Sequence, residues 1–412
     1  MRRRLLTLFA CCVCLSLQAQ NFSYSFRAQK VTFSGAGYIT IKQDSLATAY
    51  SGPHWQSDGR RLPAGYVSGN TITAAADFTY SCSNSPDSVM VRGFSSDTLD
   101  FPPVMVPVSS GSAGSYTFSY PATAAGKAFN AGVVNYYAAF RIRWQVSMDK
   151  GSSWLPMDTT DHKIYVTKGM PMAENANFRH FHTVLELSCK NAKGLSADTD
   201  IIKACWQEFT DQQVLNYKGD SLVYYRTYNT SSTNLPALLR TRNAQCYTFA
   251  QLFLALIKVQ GIVRTNNYVF IESNYPSYGC GTVNRFLVSN WQFGKKSDSA
   301  ACPDFPYRNN YTSAFVAGMS YTWTSADVTD LKGVPGQCNS NPASFFNNHQ
   351  VVKLDGVYYD PCYGLTFSSL ADIKTRAFDG WGIYKSLGGG MLTCNFTTDK
   401  SKADLQETIS TY

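Results

Sequence analysis

The sequence has no apolar run of 18 residues, and charged residues make up only 16% of its 412 residues. Without such a run, we expect no transmembrane anchor. The formal net charge is +8, but three of the positive charges belong to Arg2, Arg3 and Arg4 at the extreme N-terminus. A nucleic-acid-binding protein normally carries a concentrated basic stripe, and none is present. We therefore do not expect DNA or RNA as a partner.

Patterns that bind metal ions are also scarce. Beyond residue 19 there is no Cys-x-x-Cys pair. His180 and His182 could form a two-histidine zinc pair, but no third ligand lies at a typical spacing from them. We therefore expect no metal and no cofactor. His54 and His162 lie in a strand-rich region, where we expect ordinary surface or loop positions.

The first 19 residues have the features of an export signal. Arg2, Arg3 and Arg4 are followed by an apolar stretch over residues 5–17 and by a small-residue cleavage site that ends at Ala19. Residues 8–10 before Cys11 also resemble a lipoprotein signal, although its apolar core would be short. Either alternative predicts an exported protein, located in the periplasm, on the cell surface or in the medium.

Of 12 cysteines, three lie in this signal and nine remain. In an oxidising compartment cysteines tend to pair, and an odd number leaves at least one free thiol or an intermolecular bridge. The nine are Cys82, Cys189, Cys205, Cys246, Cys280, Cys302, Cys338, Cys362 and Cys394.

Residues 20–168 are rich in short segments that favour strands. Residues 140–146 alternate strictly between apolar and polar side chains, and turn residues separate this run from its neighbours. Such a pattern predicts an immunoglobulin-like β-sandwich. Residues 20–168 contain no recognisable set of catalytic residues. We therefore expect this domain to contact a cell surface or a polymer. The remaining strand predictions are 30–42, 71–80, 88–91, 115–120 and 163–167.

The pattern changes after a linker at residues 168–171, and residues 172–412 form the second predicted domain. Residues 200–211 have helical periodicity, and a further helix is predicted to begin with Asn243 as its N-cap and to close at Gly261. Cys246 lies in the first turn of that helix, where the helix dipole favours the thiolate. The alternative is a buried core cysteine or one half of a disulfide.

A β-hairpin is predicted from residues 350–354, the turn Asp355-Gly356 and residues 357–360. If these two residues form the turn, His349 and Asp360 lie on the same face of the hairpin as diagonal neighbours. A carboxylate there would hold the imidazole in one tautomer, as acid–base catalysis requires. A slip of one residue would place the two side chains on opposite faces.

Together these motifs resemble the transglutaminase-like superfamily, whose papain-like core uses a Cys-His-Asp triad. The family's Gly-Gln-Cys-Trp motif has its counterpart in residues 244–247, Ala-Gln-Cys-Tyr, at the start of a helix. Its histidine opens a strand, as His349 is predicted to do, and its aspartate often precedes proline, as Asp360 does. The sequence departs from the family at three positions. Ala244 replaces the glycine of the motif, and Tyr247 replaces its tryptophan. Val351 lies where the family commonly has an aromatic residue.

The resemblance implies an α+β fold in which a papain-like, transglutaminase-like domain follows the sandwich. It implies Cys246, His349 and Asp360 as catalytic residues, and Gln245 and Tyr247 as contacts to a peptide or protein amide substrate. Hydrolysis is slightly favoured over transfer to an amine. The alternative is a non-catalytic binding or adhesion protein that uses this domain as a scaffold.

Two further expectations accompany the resemblance. One catalytic free thiol at Cys246 leaves eight cysteines, enough for four disulfides. Cys362 would then bridge to a loop cysteine, Cys338 or Cys302, or else compete with Cys246 as the free thiol. The long polar segment over residues 272–347 is our candidate for substrate recognition.

Overall fold

The computed structural model gives the chain a mixed α+β fold that consists mostly of β-sheet. It describes residues 25–81, 86–95, 97–110, 114–175, 178–225, 234–278, 281–287, 335–340, 342, 345–378, 380–387, 390–397 and 399–412.

The strands of the N-terminal half form two sheets. The first sheet has the order β3-β1-β5-β9-β8 and the second β2-β4-β11-β10-β6-β7. Neighbouring strands are antiparallel except β4 and β11. The strands are β1 Ser25–Ser34, β2 Tyr38–Ile39, β3 Trp55–Gln56, β4 Ala64–Val67, β5 Thr71–Ser81, β6 Ser88–Ser95, β7 Phe101–Pro107, β8 Ser109–Ser110, β9 Ser115–Ala128, β10 Asn135–Ser147 and β11 Leu155–Thr167.

The two sheets pack against each other because alternate residues of their strands are apolar. In β5 buried and partly buried residues alternate along almost the whole strand, which places one face in the core. Trp144 of β10 lies at the centre of that core, with ring centroids 5.3 Å from Phe78 and 5.5 Å from Tyr120. The strand-like run predicted over 30–42 contains the end of β1 and all of β2, separated by a turn at Gly35 and Gly37, whose φ values are 107° and 69°.

Of the two histidines expected at surface or loop positions, His54 lies in a loop, whereas His162 lies in β11. His54 and His162 are buried and not on the surface. His54 accepts a hydrogen bond from the Phe33 backbone at Nδ1, and His162 packs edge-on against the Phe33 ring. The burial of both imidazoles was missed because it depends on how the two sheets pack, for which the local sequence gives no signal.

In the part of the chain that is described, the C-terminal half combines five α-helices with two five-stranded antiparallel sheets and a short two-stranded parallel sheet. One sheet has the order β20-β19-β18-β14-β23, and the other β15-β16-β21-β22 with β17 beside β16. The helices are α1 His182–Asn191, α2 Asp198–Thr210, α3 Leu235–Thr241, α4 Cys246–Lys258 and α5 Leu370–Arg376. The strands are β12 Val223–Tyr224, β13 Asn243–Ala244, β14 Tyr268–Ser273, β15 Ser277–Tyr278, β16 Gly281–Leu287, β17 Phe345–Phe346, β18 Asn348–Leu354, β19 Val357–Asp360, β20 Leu365–Phe367, β21 Gly380–Leu387, β22 Gly390–Thr397 and β23 Leu405–Ser410.

Helix α4 is the central element of this half. Every residue of the helix except Tyr247 is buried, and the helix packs against β18. Its predicted N-cap was wrong: Asn243 lies in β13, which pairs in parallel with β12, and Gln245 is the N-cap. The helix ends at Lys258 rather than at Gly261, which has a φ of 76° and turns the chain.

The hairpin has the predicted register. Leu354 pairs with Val357 and Val352 with Tyr359. The turn residues Asp355 and Gly356 have φ values of 49° and 84°, as a type I′ turn requires. The register confirms that His349 and Asp360 share a face.

The two halves share apolar contacts. Ile41, Val134 and Tyr165 of the N-terminal half belong to the same buried cluster as the residues of α1 and α4. Glu186 of α1 accepts hydrogen bonds from Tyr165, at 2.6 Å, and from Tyr136, at 2.7 Å. Among the described helices, none is both long and apolar enough to cross a membrane.

The positive φ of Gly356 leads to a stability prediction. Gly356→Ala should lower the free energy of unfolding by about 1 kcal/mol, because a Cβ disfavours this backbone conformation. No atom lies within 4 Å of the added Cβ, so a steric clash with neighbours does not contribute. The matched control is Gly126→Ala in β9, where the added Cβ has its nearest neighbour at 3.7 Å. Urea unfolding of both variants measures the difference, and equal losses would contradict the prediction.

Candidate active site

Cys246 is the first residue of α4 and is 4% exposed. The helix begins there because Gln245 leaves the helical region, with φ −90° and ψ 177°. The backbone N–H groups of a first helical turn lack partners within the helix, and the helix dipole there favours a negative charge. There is no acidic residue in this first turn to oppose a thiolate.

His349 and Asp360 form a buried hydrogen-bonded pair on adjacent strands. His349 Nε2 lies 2.8 Å from Asp360 Oδ2, and the two residues are 2% and 1% exposed. His349 also occupies a central strand, because β18 pairs with β14 through Ile271 opposite His349. Pairing with β14 therefore restricts the backbone position of His349.

The Cys246 thiol lies close enough to the same imidazole to act on its charge. Burial disfavours the charged imidazole, but the Asp360 carboxylate and the Cys246 thiol outweigh burial and raise the pKa of His349 to about 10. The raised pKa favours the imidazolium, which is the form that stabilises an adjacent thiolate.

Asp360 is held by the turn that follows it. Its Oδ1 accepts a hydrogen bond of 3.1 Å from the backbone N–H of Cys362, and its carbonyl accepts one of 2.9 Å from Gly364. The side chain of Gln337, which is fully buried, donates to the Pro361 carbonyl at 2.8 Å. The carboxylate therefore has a defined orientation towards His349.

Cys362 brings a second thiol next to the triad. Burial, Asp360 and Cys246 raise the pKa of this thiol well above its usual value. The potential ligand atoms of His349, Asp360 and Cys362 all lie within 4.8 Å of one another. Imidazole, carboxylate and thiolate are zinc ligands, so among the described residues this group could hold a metal ion.

Cys189, Cys205, Cys246, Cys338 and Cys362 are free thiols. The expectation of four disulfides with Cys246 as the one free thiol was therefore wrong, and Cys362 forms no bridge to Cys338 or to Cys302. The structure does not describe Cys82, Cys280 and Cys302 or the side chain of Cys394, so pairing among these four stays a prediction.

The two predicted substrate contacts differ in their surroundings. Tyr247 is partly buried, and its hydroxyl donates to Asn348 Oδ1 at 3.2 Å, next to His349 in the chain. Its ring lies 6.3 Å from that of Phe270. Gln245 is partly exposed and its side chain does not cap the helix. Most of the segment predicted to recognise substrate, residues 288–334, lies outside the described residues.

The histidine pair considered for zinc does not converge on a common point. His182 stacks on Tyr217 with ring centroids 3.7 Å apart. Its two ring nitrogens lie 2.8 Å and 2.7 Å from the hydroxyls of Tyr50 and Tyr165. His180 instead lies near the Met172 carbonyl.

Comparisons with known proteins assign no family. No protein-family model matches the chain, and no curated protein sequence matches it.

The raised pKa of His349 predicts a pH dependence of stability. A group whose folded pKa lies above its usual 6.5 contributes stability that is complete below pH 6.5 and is lost as the pH rises towards about 10. In a Cys246→Ala background Asp360 still raises the pKa of His349, so the stabilisation that His349 gives relative to His349→Gln should decrease as the pH rises above 6.5. Urea unfolding at several pH values measures the effect.

The control for this experiment is His54→Gln. Burial lowers the pKa of His54 to about 4, so its contribution should stay constant above pH 6.5 and fall only on acidification. A His349 contribution that is equally constant above pH 6.5 would contradict the prediction.

Proposed function

We propose that this chain is an exported cysteine enzyme that cleaves or transfers the acyl group of an amide through a thioester on Cys246. The observation that carries the proposal is the hydrogen-bonded pair of His349 and Asp360 beside Cys246, which lies at the N-terminus of a buried helix. A nucleophile, a base and a group that orients the base are the components that covalent acyl transfer requires.

The charge state defines the proposed steps. The Cys246 thiolate attacks the amide carbonyl, and the resulting oxyanion is stabilised by the Cys246 backbone N–H. The His349 imidazolium gives its proton to the leaving amine, the C–N bond breaks, and a thioester remains. The neutral imidazole then takes a proton from water or from an amine, which attacks the thioester and releases Cys246. Asp360 stabilises the imidazolium throughout.

The transglutaminase-like family is part of the proposal. Cys246 opens α4, His349 is the second residue of β18, and Asp360 ends β19 directly before Pro361. These positions correspond to the family's three motifs. The immunoglobulin-like assignment is supported by the two-sheet packing of the N-terminal half.

A non-catalytic scaffold is the second candidate, and the burial of the site favours it. Cys246, His349 and Asp360 are 4%, 2% and 1% exposed. An enzyme must admit a substrate carbonyl to the sulfur, whereas a scaffold has no such requirement. The reactivity of the thiol in the folded protein separates the two functions.

Alkylation of the unreduced protein with iodoacetamide at pH 6 and at pH 8.5, mapped by peptide mass spectrometry, tests this reactivity. We expect Cys246 to label at similar rates at both pH values, because the imidazolium maintains the thiolate. Cys338 is partly exposed and lies outside the triad, so it should label far more slowly at pH 6. In His349→Gln, labelling of Cys246 at pH 6 should fall by about 10-fold or more. An inert Cys246 at both pH values would support the scaffold.

Activity on peptide amides tests the reaction itself. Cys246→Ala should abolish release of amine from a glutamine-containing peptide, and Asp360→Asn should lower kcat by roughly 10²–10⁴-fold, because the imidazole loses its orienting carboxylate. The matched control, Cys338→Ala, removes a thiol outside the triad and should retain activity. A dansylated primary amine as co-substrate distinguishes transfer from hydrolysis. Equal turnover by Cys246→Ala and wild type would refute the proposal.

A further inference from the structure

A separate cavity of ≈ 400 Å³ lies where the β-sandwich of the N-terminal half meets the C-terminal half. No member of the catalytic triad contributes to its lining. Part of the wall is apolar and is formed by Leu62, Pro63, Ala138 and the ring of Tyr217. A volume of this size suits a small molecule with an apolar body.

The cavity adjoins an open strand edge. β4 pairs with β11 from Ala64 opposite Ile164 up to Val67. The preceding residues of β11, Asp161 and His162, therefore have no β4 partner and line the cavity instead. The chain before β4, which includes Arg61, lines the same space.

His162 supplies a buried hydrogen-bond donor to this wall. Thr160 Oγ1 accepts a hydrogen bond of 3.1 Å from Trp144 Nε1, and it lies 2.8 Å from His162 Nε2. In the tautomer in which the Thr160 hydroxyl donates to Nε2, the imidazole proton lies on Nδ1. His162 is 4% exposed, and Nδ1 has no hydrogen-bond partner among the described residues. A buried donor without an acceptor is costly, and an acceptor in the cavity would satisfy it.

Arg61 supplies a positive charge to the cavity. Among the described residues, no carboxylate lies within ion-pair distance of its guanidinium. Its guanidinium stacks 4.5 Å from the centroid of the Trp55 ring, and Nη1 donates to the Gln56 and Arg60 carbonyls. The other cation of the lining, Lys163, is paired with Glu186 at 2.8 Å. Arg61 is therefore fixed in place with nitrogens left to bind an anion.

We propose that this cavity binds a small carboxylate that carries an apolar body. One carboxylate oxygen accepts from His162 Nδ1–H, and the other interacts with the Arg61 guanidinium. The body packs against Leu62, Pro63 and the Tyr217 ring. The proposal does not depend on the chemistry at Cys246, since none of the triad lines the cavity.

Calorimetric titration of the full chain with benzoate and with its neutral isostere benzamide tests the site. Benzoate should bind more tightly than benzamide, because only benzoate carries the charge that Arg61 complements. Arg61→Gln should weaken benzoate binding by about 10-fold, with little effect on benzamide. The matched control, Arg60→Gln, removes a neighbouring exposed cation that does not line the cavity and should leave binding unchanged.

His162→Phe supplies a second variant, which keeps a ring but removes the Nδ1–H donor. It should weaken benzoate binding while the unfolding midpoint reports whether the core is intact. If His162→Phe does not fold, the Arg61 and Arg60 pair still decides the question, because both side chains are exposed. No benzoate binding up to tens of millimolar, equal binding of benzamide, or wild-type affinity in Arg61→Gln would each overturn the proposal.

Discussion

The hydrogen bond between His349 and Asp360 joins two ionisable groups that are almost completely buried. A buried charge is strongly destabilising unless it is paired, and loss of one partner leaves the other without compensation. The central strand β18, the turn at Cys362 and the buried Gln337 all restrain this pair. The raised pKa of His349, and with it the thiolate proposed at Cys246, depends on the carboxylate staying in place.

The same principle joins the two halves of the chain. Glu186 of α1 is partly desolvated and accepts hydrogen bonds from Tyr136, Tyr165 and Lys163 of the sandwich. Charge-assisted hydrogen bonds of this kind are directional. They therefore orient the sandwich on α1, and α1 packs in turn against α4. The cavity at His162 lies beside this junction, so it exists because the two halves meet there.

Local patterns accounted for much of the secondary structure. Strand alternation predicted β5 and β10, and Asp355-Gly356 predicted the hairpin register, because turn geometry and the two-residue strand period are local properties. The predicted N-cap at Asn243 was wrong, since that residue pairs with β12 some 20 positions earlier. The burial of His54 and His162 was missed for the same reason: it depends on the packing of two sheets.

The sequence by itself determined that His349 and Asp360 share a face, because a two-residue turn sets which residues of a hairpin oppose each other. Only the tertiary structure decided that Cys246 contacts this imidazole, since about 100 residues separate them and α4 must dock on β18. Likewise, only the tertiary structure places the free Cys362 thiol beside the triad. Such contacts between distant segments arise from the packing of whole elements, which no local pattern encodes.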